Sequence, residues 1–585
     1  MFIWFPMGLM NEDWHLKEVR SRLLIPALSL CILASTIVAS NLQPIYPVRS
    51  AAFGVTNSVW GDWLHYHNYA EITSTILDLN ETYPDLVEVF PIGQSWLNQT
   101  IYCVRLTNES AEFSKPEVFF VGYHHAREPI TSELTLYFLV DTVTKFGINE
   151  TSTRMLNYCQ IYVVVALNVD GYEAVKANEW HRKNVHPYDE DADGLLDEDP
   201  PEDEDCDGYI EDLYFDNGTH YEFIRWEGND SDADGFYNED WVGGVDLNRN
   251  YDWNTVFAQG SPDPKDETYR GPTPFSEPET QAIRNLTLHH DFRYALSFHS
   301  GTFQVVGRRG RNTVDDKAYR EVTLNLSALA GVPCDYSVPG GYPTGMWEDW
   351  MYSAKNTVAL TCEIYGNDSA LVTEAGPEPD TYWERGVTQF FSPDAADIEE
   401  VVLNWMPTFY YVVDRAITEA YDASISSIVP SKTVLGEGFS MIINVTTINQ
   451  GRFSENLTVT LYANETAIGT RTVEVASKQS VKVSYLWNSS SFSIGAYRIS
   501  SVVASVRGET DTADNTYTGE IVTVAMQGDV NADKTVNIFD VVILAIAFDS
   551  RPGDSEWNPI ADINNDGIVD IFDLVVAAIN FGETA

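Results

Sequence analysis

The stretch Val118-Phe119-Phe120-Val121-Gly122-Tyr123-His124-His125-Ala126-Arg127-Glu128-Pro129 runs from an apolar strand-like segment into a turn rich in metal-binding groups. Ile130 to Phe146 then continues as a helical stretch. A second strand-like run, Ile161-Tyr162-Val163-Val164-Val165, follows, and strands and helices alternate from about Ser58 to Ala420. That alternation predicts an α/β domain. A His and a Glu three apart at a strand-to-helix turn can aim one nitrogen and one carboxylate at a single ion. A third ligand from a distant strand then leaves the fourth position open for water, as in catalytic zinc sites. His299, at the end of Tyr294-Ala295-Leu296-Ser297-Phe298, is placed to be that third ligand.

A lone His-x-x-Glu occurs often by chance, but here further segments follow in order. They are Asn168-Val169-Asp170-Gly171-Tyr172, Trp180-His181-Arg182-Lys183-Asn184 and Gly244-Val245-Asp246-Leu247-Asn248-Arg249-Asn250-Tyr251. Tyr269-Arg270-Gly271-Pro272, Phe275-Ser276-Glu277-Pro278-Glu279, Ser297-Phe298-His299-Ser300 and Thr361-Cys362-Glu363 complete the set. Together they resemble the zinc carboxypeptidases of the carboxypeptidase A/B/T type (the funnelins). Val169 stands where that family usually has Pro, and His181 intrudes into its Trp-Arg-Lys segment.

The resemblance implies one catalytic zinc held by His125, Glu128 and His299, with Asp246 accepting the other ring N–H of His125. It implies Glu363 as the general base on the zinc-bound water, and Arg182 as the stabiliser of the developing oxyanion. Asn248 and Arg249 would clamp the free C-terminal carboxylate of a peptide, and Arg127 would support the substrate further along. Two tyrosines compete to cover the bound end: Tyr342 fits the family spacing to Asp349-Trp350 within one residue, and Tyr336 does not. The residue before Asp349-Trp350 lies, in the family, at the floor of the side-chain pocket. Glu348 there implies a preference for Arg or Lys ends; a one-residue shift would place Met346 or Trp347 at the floor instead, and a solvent-facing Glu348 is the bland alternative. His124 reads as a satisfied neighbour and rival ligand, and Glu133 as a solvated or capping carboxylate. Glu277 and Glu279 read as the acidic start of a helix, and His289 and His290 as a helix end.

Two further parts flank this domain, assigned to residues 56–420. Within it, residues 189–240 carry 22 Asp/Glu against one Arg, inside an insertion spanning 187–240. Three near-copies of Asp-x-Asp-x-Asp-Gly occur there: Asp189, Asp191 and Asp193; Asp203, Asp205 and Asp207; Asp230, Asp232 and Asp234. Their mutual repulsion is relieved by bound calcium or by disorder. From residue 425 to 525 short β-branched segments such as Phe439-Ser440-Met441-Ile442-Ile443-Asn444-Val445 recur without helical period, predicting an all-β, Ig-like sandwich. Residues 526–585 hold a repeat of 33 residues, each copy an oxygen-rich loop followed by an apolar helix. Asp529, Asn531, Asp533, Asn537 and Asp540 correspond to Asp562, Asn564, Asp566, Asp570 and Asp573. Oxygens at positions 1, 3, 5, 9 and 12 suit calcium. The repeat resembles dockerin domains, which implies calcium and a cohesin-type partner.

The whole chain of 585 residues has 35 Lys+Arg against 87 Asp+Glu, a formal charge of −52, which disfavours nucleic acid as a partner. Six unevenly spaced cysteines, with no Cys-x-x-Cys, build neither a thiolate metal site nor a disulfide framework. Lys17, Arg20 and Arg22 precede an apolar stretch from Leu23 to Ala39, so residues 1–40 read as a signal peptide or an N-terminal anchor, and the protein as secreted or extracellular. Thirteen Asn-x-Ser/Thr sequons are compatible with export. Residues 41–55, between the signal-like stretch and the first family-like segment, give no expectation of a clear inhibitory prodomain. Three functions are therefore in play. One is a zinc carboxypeptidase. Another is a cell-wall peptide or amide hydrolase of the same fold, and the third a non-catalytic adhesion or scaffold subunit. The Asn248-Arg249 pair favours the first, because it needs a free carboxylate to bind.

Overall fold

The computed structural model describes residues 65–177, 181–188, 196, 212–216, 221–226, 243–252, 260–264, 266–308, 313–336, 345–366 and 390–585. Residues 1–40, most of the acidic insertion with its nine candidate aspartates, and Tyr342 lie outside that set.

Helix α1 (Tyr69–Thr82) opens with a capping box, in which Asn68 Oδ1 accepts from Glu71 N and Glu71 accepts from Asn68 N. The antiparallel hairpin β1 (Val87–Gln94) and β2 (Thr100–Leu106) leads to the parallel pair β3 (Glu117–Val121) and β4 (Gln160–Val164). Between β3 and β4 run α2 (Ile130–Thr144) and α3 (Glu150–Tyr158), and α4 (Gly171–Ala177) follows β4. β5 (Asp212–Asp216) and β6 (Tyr221–Trp226) pair with each other, and among the described residues with no other strand. After α5 (Pro278–His289) come β7 (Phe292–His299), β8 (Thr302–Gly307), α6 (Thr313–Ala330), β9 (Cys334–Tyr336), α7 (Trp347–Lys355), β10 (Val358–Tyr365) and the long α8 (Ile398–Ala420). The main sheet has the order β1-β2-β4-β3-β7-β10-β8-β9, with β4, β3, β7 and β10 parallel. This is a mixed-sheet α/β fold.

The apolar run of β3 is explained by burial on both faces: Val118, Phe119, Phe120 and Val121 are all inaccessible. Phe120 points to α8, meeting Phe409 at 4.7 Å between ring centroids, while Phe119 points the other way, to Phe292 at 5.1 Å. Phe138 of α2 stacks on Phe409 at 4.2 Å and also meets Phe120, so α2 and α8 pack against each other on the same face of the sheet. Every residue of α2 from Ile130 to Val143 is buried. Glu133 is thereby corrected: it is no surface carboxylate. It accepts from His67 N and meets His67 Nδ1, both at 2.7 Å. A helix buried on all sides leaves Glu133 no solvent, so a partner must come from elsewhere in the chain.

The chain leaves β3 for β4 on one side and returns at β7 on the other. The order reverses between β3 and β7, and a crevice opens there at the carboxyl ends of the strands.

Beyond α8 the chain is all-β from Ala423 to Ala525, a three-stranded and a five-stranded sheet. Strand Ser440–Asn449 shows the half-buried alternation, with Met441, Ile443 and Val445 inside against Leu457, Val459 and Trp487. The last segment carries α9 (Ile538–Ile546) and α10 (Ile571–Ile579), each opened by a capping box, Asn537/Asp540 and Asp570/Asp573. The buried Lys432 of the β region donates to the carbonyls of Asp562 (2.5 Å) and Ile563 (3.2 Å), tying the two parts together. Among the described residues no helix is long and apolar enough to cross a membrane.

Candidate functional site

The crevice collects its groups from the ends of three neighbouring strands. His124, His125 and Glu128 follow β3, His299 ends β7, and Glu363 lies on β10 directly opposite His299 in the strand register. His125, Glu128 and His299 are buried, and one candidate ligand atom from each lies within 4.8 Å of the others. The two Nδ1 atoms of His125 and His299 are 3.2 Å apart. Glu128 Oε1 is 2.8 Å from the first, and Glu128 Oε2 is 3.2 Å from the second. Two imidazole nitrogens and a carboxylate converging on one point suit zinc.

The outward nitrogens are held by protein. His125 Nε2 is 3.1 Å from Asp246 Oδ1, and Asp246 Oδ2 accepts from Arg182 Nε at 2.9 Å. His299 Nε2 lies 2.9 Å from Ser297 Oγ and 3.4 Å from Asn248 Nδ2. Ser297 was not anticipated as a site residue. The available signal was the strand period, since two residues along β7 return to the same face. His124, the rival ligand, is used up elsewhere: Nδ1 is 3.0 Å from Ser297 Oγ, and Nε2 is 3.2 Å from Tyr251 Oη. Burial, with His299 and His125 beside it, holds His124 well below its usual range and therefore neutral.

Burial would raise the Asp246 and Glu128 carboxyls, but the groups beside them win. Arg182 and Arg249 hold Asp246 well below the carboxylate range, and His125 and His299 hold Glu128 down. Glu363 goes the other way. Burial together with the charges of Glu128 and Glu348 pushes it well above the usual range.

Asp246 also caps the short turn Leu247–Arg249 by accepting from Asn248 N at 2.9 Å. Asn248 Oδ1 accepts from Trp347 N at 2.9 Å, which fixes its amide, and Arg249 stays partly exposed with Nη1 donating to Asn248 O. Gly345, at φ +101°, lets α7 approach: a Cβ there would stand 2.6 Å from the Arg249 carbonyl. Arg127 pairs with Glu267 at 2.9 Å and lies over the Phe391 ring at 4.3 Å. Glu348 does not face solvent. It is buried in the first turn of α7 and accepts from Thr361 Oγ1 at 3.1 Å, on the strand that carries Glu363. Burial and Asp349 push its carboxyl up to about 7. Glu277 and Glu279 do open α5 but are fully buried, and both accept from Asn184. Tyr336 ends β9, and His289 and His290 end α5.

In the C-terminal repeat the two loops have matching hydrogen bonds. Asp529 accepts from Asp533 N and Lys534 N, and Asp562 accepts from Asp566 N and Gly567 N. Asn531 and Asn564 each accept from the residue two ahead. Asp540 and Asp573 reach back to the loop backbone at Val530 N and Ile563 N. Asn537 and Asp570 additionally cap α9 and α10.

A family model described as Zinc carboxypeptidase matches residues 72–404, more than half of the chain. One described as Dockerin type I domain matches residues 527–577. Carboxypeptidase A6 of Mus musculus is 28% identical over 237 residues, 40% of this chain and 43% of that protein. Carboxypeptidase E of Caenorhabditis elegans is 31% identical over 130 residues, 22% of this chain and 27% of that protein. The chain thus spans less than half the length of these two curated relatives. Among solved structures, thrombin activatable fibrinolysis inhibitor (TAFI) covers 60% of this chain and 75% of its own at 19% identity, with a TM-score of 0.45. On the match over residues 72–404, the chain belongs to the zinc carboxypeptidase family.

Proposed function

We propose that the protein is a zinc-dependent carboxypeptidase that hydrolyses the C-terminal peptide bond of peptides. The observation that carries this reading is the convergence of His125, Glu128 and His299 with Glu363 alongside. His125, Glu128 and His299 hold the metal, and Asp246 and Ser297 orient the two imidazoles from behind. Bound zinc supplies a lower pKa for its water and a Lewis acid for the scissile carbonyl. Glu363 takes the proton of the attacking water and delivers it to the leaving amine. Arg182, anchored on Asp246, presents positive charge where the oxyanion develops. Asn248 and Arg249 bind the substrate's terminal carboxylate, Arg127 supports residues further along, and Tyr342 covers the bound end. Buried Glu348 gives the side-chain pocket a preference for Arg or Lys ends.

The repeat at the C-terminus is proposed to bind calcium in its two loops and to dock on a cohesin-type module. Two matching apolar faces support this: Phe539 and Ile546 on α9, and Phe572 and Ile579 on α10, are each about two-thirds exposed or more. Export through residues 1–40 fits such a surface role, as does calcium in the acidic insertion.

A panel of blocked dipeptides, assayed with and without a zinc chelator, tests the activity. Glu363→Gln is expected to abolish turnover while keeping about one zinc per chain, and His299→Ala to lose the metal. Equal loss of zinc from both variants would refute the assignment.

A further inference from the structure

Behind Arg182 lies a buried polar junction. The side chain of Asn184 donates through Nδ2 to Glu277 Oε2 at 2.8 Å and to Glu279 Oε2 at 3.0 Å, and accepts from Val245 N at 2.8 Å. Its backbone N–H donates to Val245 O at 3.1 Å. Gly244, at φ +100°, makes the approach possible, since a Cβ there would stand 2.0 Å from the Asn184 carbonyl. The segments 182–184 and 244–246 are therefore fastened together at this point. Just beyond it, Arg182 Nε meets Asp246 Oδ2 at 2.9 Å, and Arg182 O accepts from Ala126 N at 3.1 Å, beside His125.

The two carboxyls on this one amide are not equivalent. Glu277 also takes bonds from Trp96 Nε1 (2.8 Å), His186 Nδ1 (3.0 Å) and Ser276 Oγ (2.6 Å), which outweigh burial and hold it low and ionised. Glu279 is fully buried, and its Oε1 has no hydrogen-bond partner among the described residues. The titratable groups around it are Glu277 on its own helix, His186 against Glu277, Asp170 from the turn after β4, and Tyr251.

We propose that Glu279, acting through Asn184, is a positioning residue that fixes Arg182 beside Asp246 and so beside the metal ligands. The proposal rests on the carboxypeptidase reading for the role of Arg182. Burial and the charge of Glu277 push the Glu279 carboxyl up to about 8, so near neutrality it is an uncharged acid that accepts from Asn184. Ionised, it would set a second buried charge beside Glu277 and Asp170. The junction would loosen, and Arg182 would lose its place.

The test uses the full-length, zinc-loaded protein, with kcat and KM measured across pH 6 to 9.5 on its best blocked dipeptide. Glu279→Gln keeps an acceptor oxygen for Asn184 but cannot ionise. It should hold kcat within about threefold of wild type at pH 6.5 and lack the alkaline fall of kcat near pH 8 that wild type shows. Asn184→Ala should lose kcat on the order of 10²-fold with zinc content retained, since small misplacements of catalytic groups cost that much. Melting curves give a second readout that needs no activity. A carboxyl whose folded pKa is raised loses stability as pH climbs from the unfolded value of about 4.3 towards the folded one. The Tm of Glu279→Gln relative to wild type should therefore rise between pH 5 and pH 8. Identical alkaline limbs in both proteins, or a flat Tm difference, would overturn the proposal. If wild type hydrolyses no peptide at any pH, the carboxypeptidase reading fails, and the melts alone decide on the junction: a widening difference supports it and a flat one overturns it.

Discussion

Replacing Asp246 by asparagine keeps the volume of a fully buried side chain and removes its charge. Its two oxygens serve three partners: His125 Nε2 at 3.1 Å, Asn248 N at 2.9 Å and Arg182 Nε at 2.9 Å. An amide offers one oxygen, so either the imidazole or the guanidinium would face an N–H₂ donor. If the oxygen stays on His125, the tautomer survives and Arg182 loses its carboxylate. If it turns to Arg182, the imidazole loses the acceptor that keeps Nδ1 free for metal. Loss of an outer-shell partner of a metal-bound histidine costs about 10- to 100-fold in metal affinity, roughly 1.4 to 2.7 kcal/mol. A buried charge left unpaired costs about 3 to 5 kcal/mol, which Glu128, 3.8 Å from Arg182 Nη1, offsets in part. The expected outcome is a zinc Kd raised about 10- to 100-fold in chelator competition. At saturating zinc, kcat/KM should remain depressed because Arg182 is no longer held. Unchanged zinc affinity together with unchanged kcat/KM at saturation would refute the reasoning.

Peptides ending in Arg should exceed otherwise identical peptides ending in Phe by about 10- to 100-fold in kcat/KM, the worth of one buried charge-assisted contact with Glu348. A Phe preference that Glu348→Ala leaves unchanged would sink this. Removing calcium with a chelator while free zinc is held constant by a zinc buffer should lower the melting temperature of the full chain, and Asp540→Ala with Asp573→Ala should remove most of that effect; indifference to calcium would count against loop binding. For the buried pair His67 and Glu133, burial opposes the charged imidazole but the Glu133 bond pulls His67 above its ordinary value, while burial raises Glu133. Both shifts have the same sign. The stabilisation from His67 is complete below about pH 6.5 and fades as pH rises past the folded value, so wild type should lose more Tm than His67→Gln between pH 6 and 9. Parallel Tm curves would exclude the pair as the source.

The α/β fold was legible because its signal is local. A buried parallel strand must be apolar on both faces, and Val118 to Val121 announces that within four residues. His125 and Glu128 could be proposed as partners from the turn alone, since strand end and helix start fix their separation. His299 could be proposed from its place at a strand end, Glu363 entered only through motif order, and it is the β7–β10 register that places them side by side.

What tertiary structure alone decided is the fate of charges that look ordinary in sequence. Glu133 resembles a surface residue of a helix until α8 covers it and His67, 66 positions away, supplies the partner. Glu279 looks like a favourable first-turn acid, yet it is sealed against Asn184, 95 positions distant, and is driven towards neutrality. Lys432 looks like a solvated loop lysine, yet it is buried on the carbonyls of a loop 130 residues later. Hydrophobic period and turn chemistry act over a few residues, so sequence by itself determined the fold class, the candidate metal-binding turn and the duplicated loops. Desolvation depends on which distant surface lands on a group, and only the folded chain determines that.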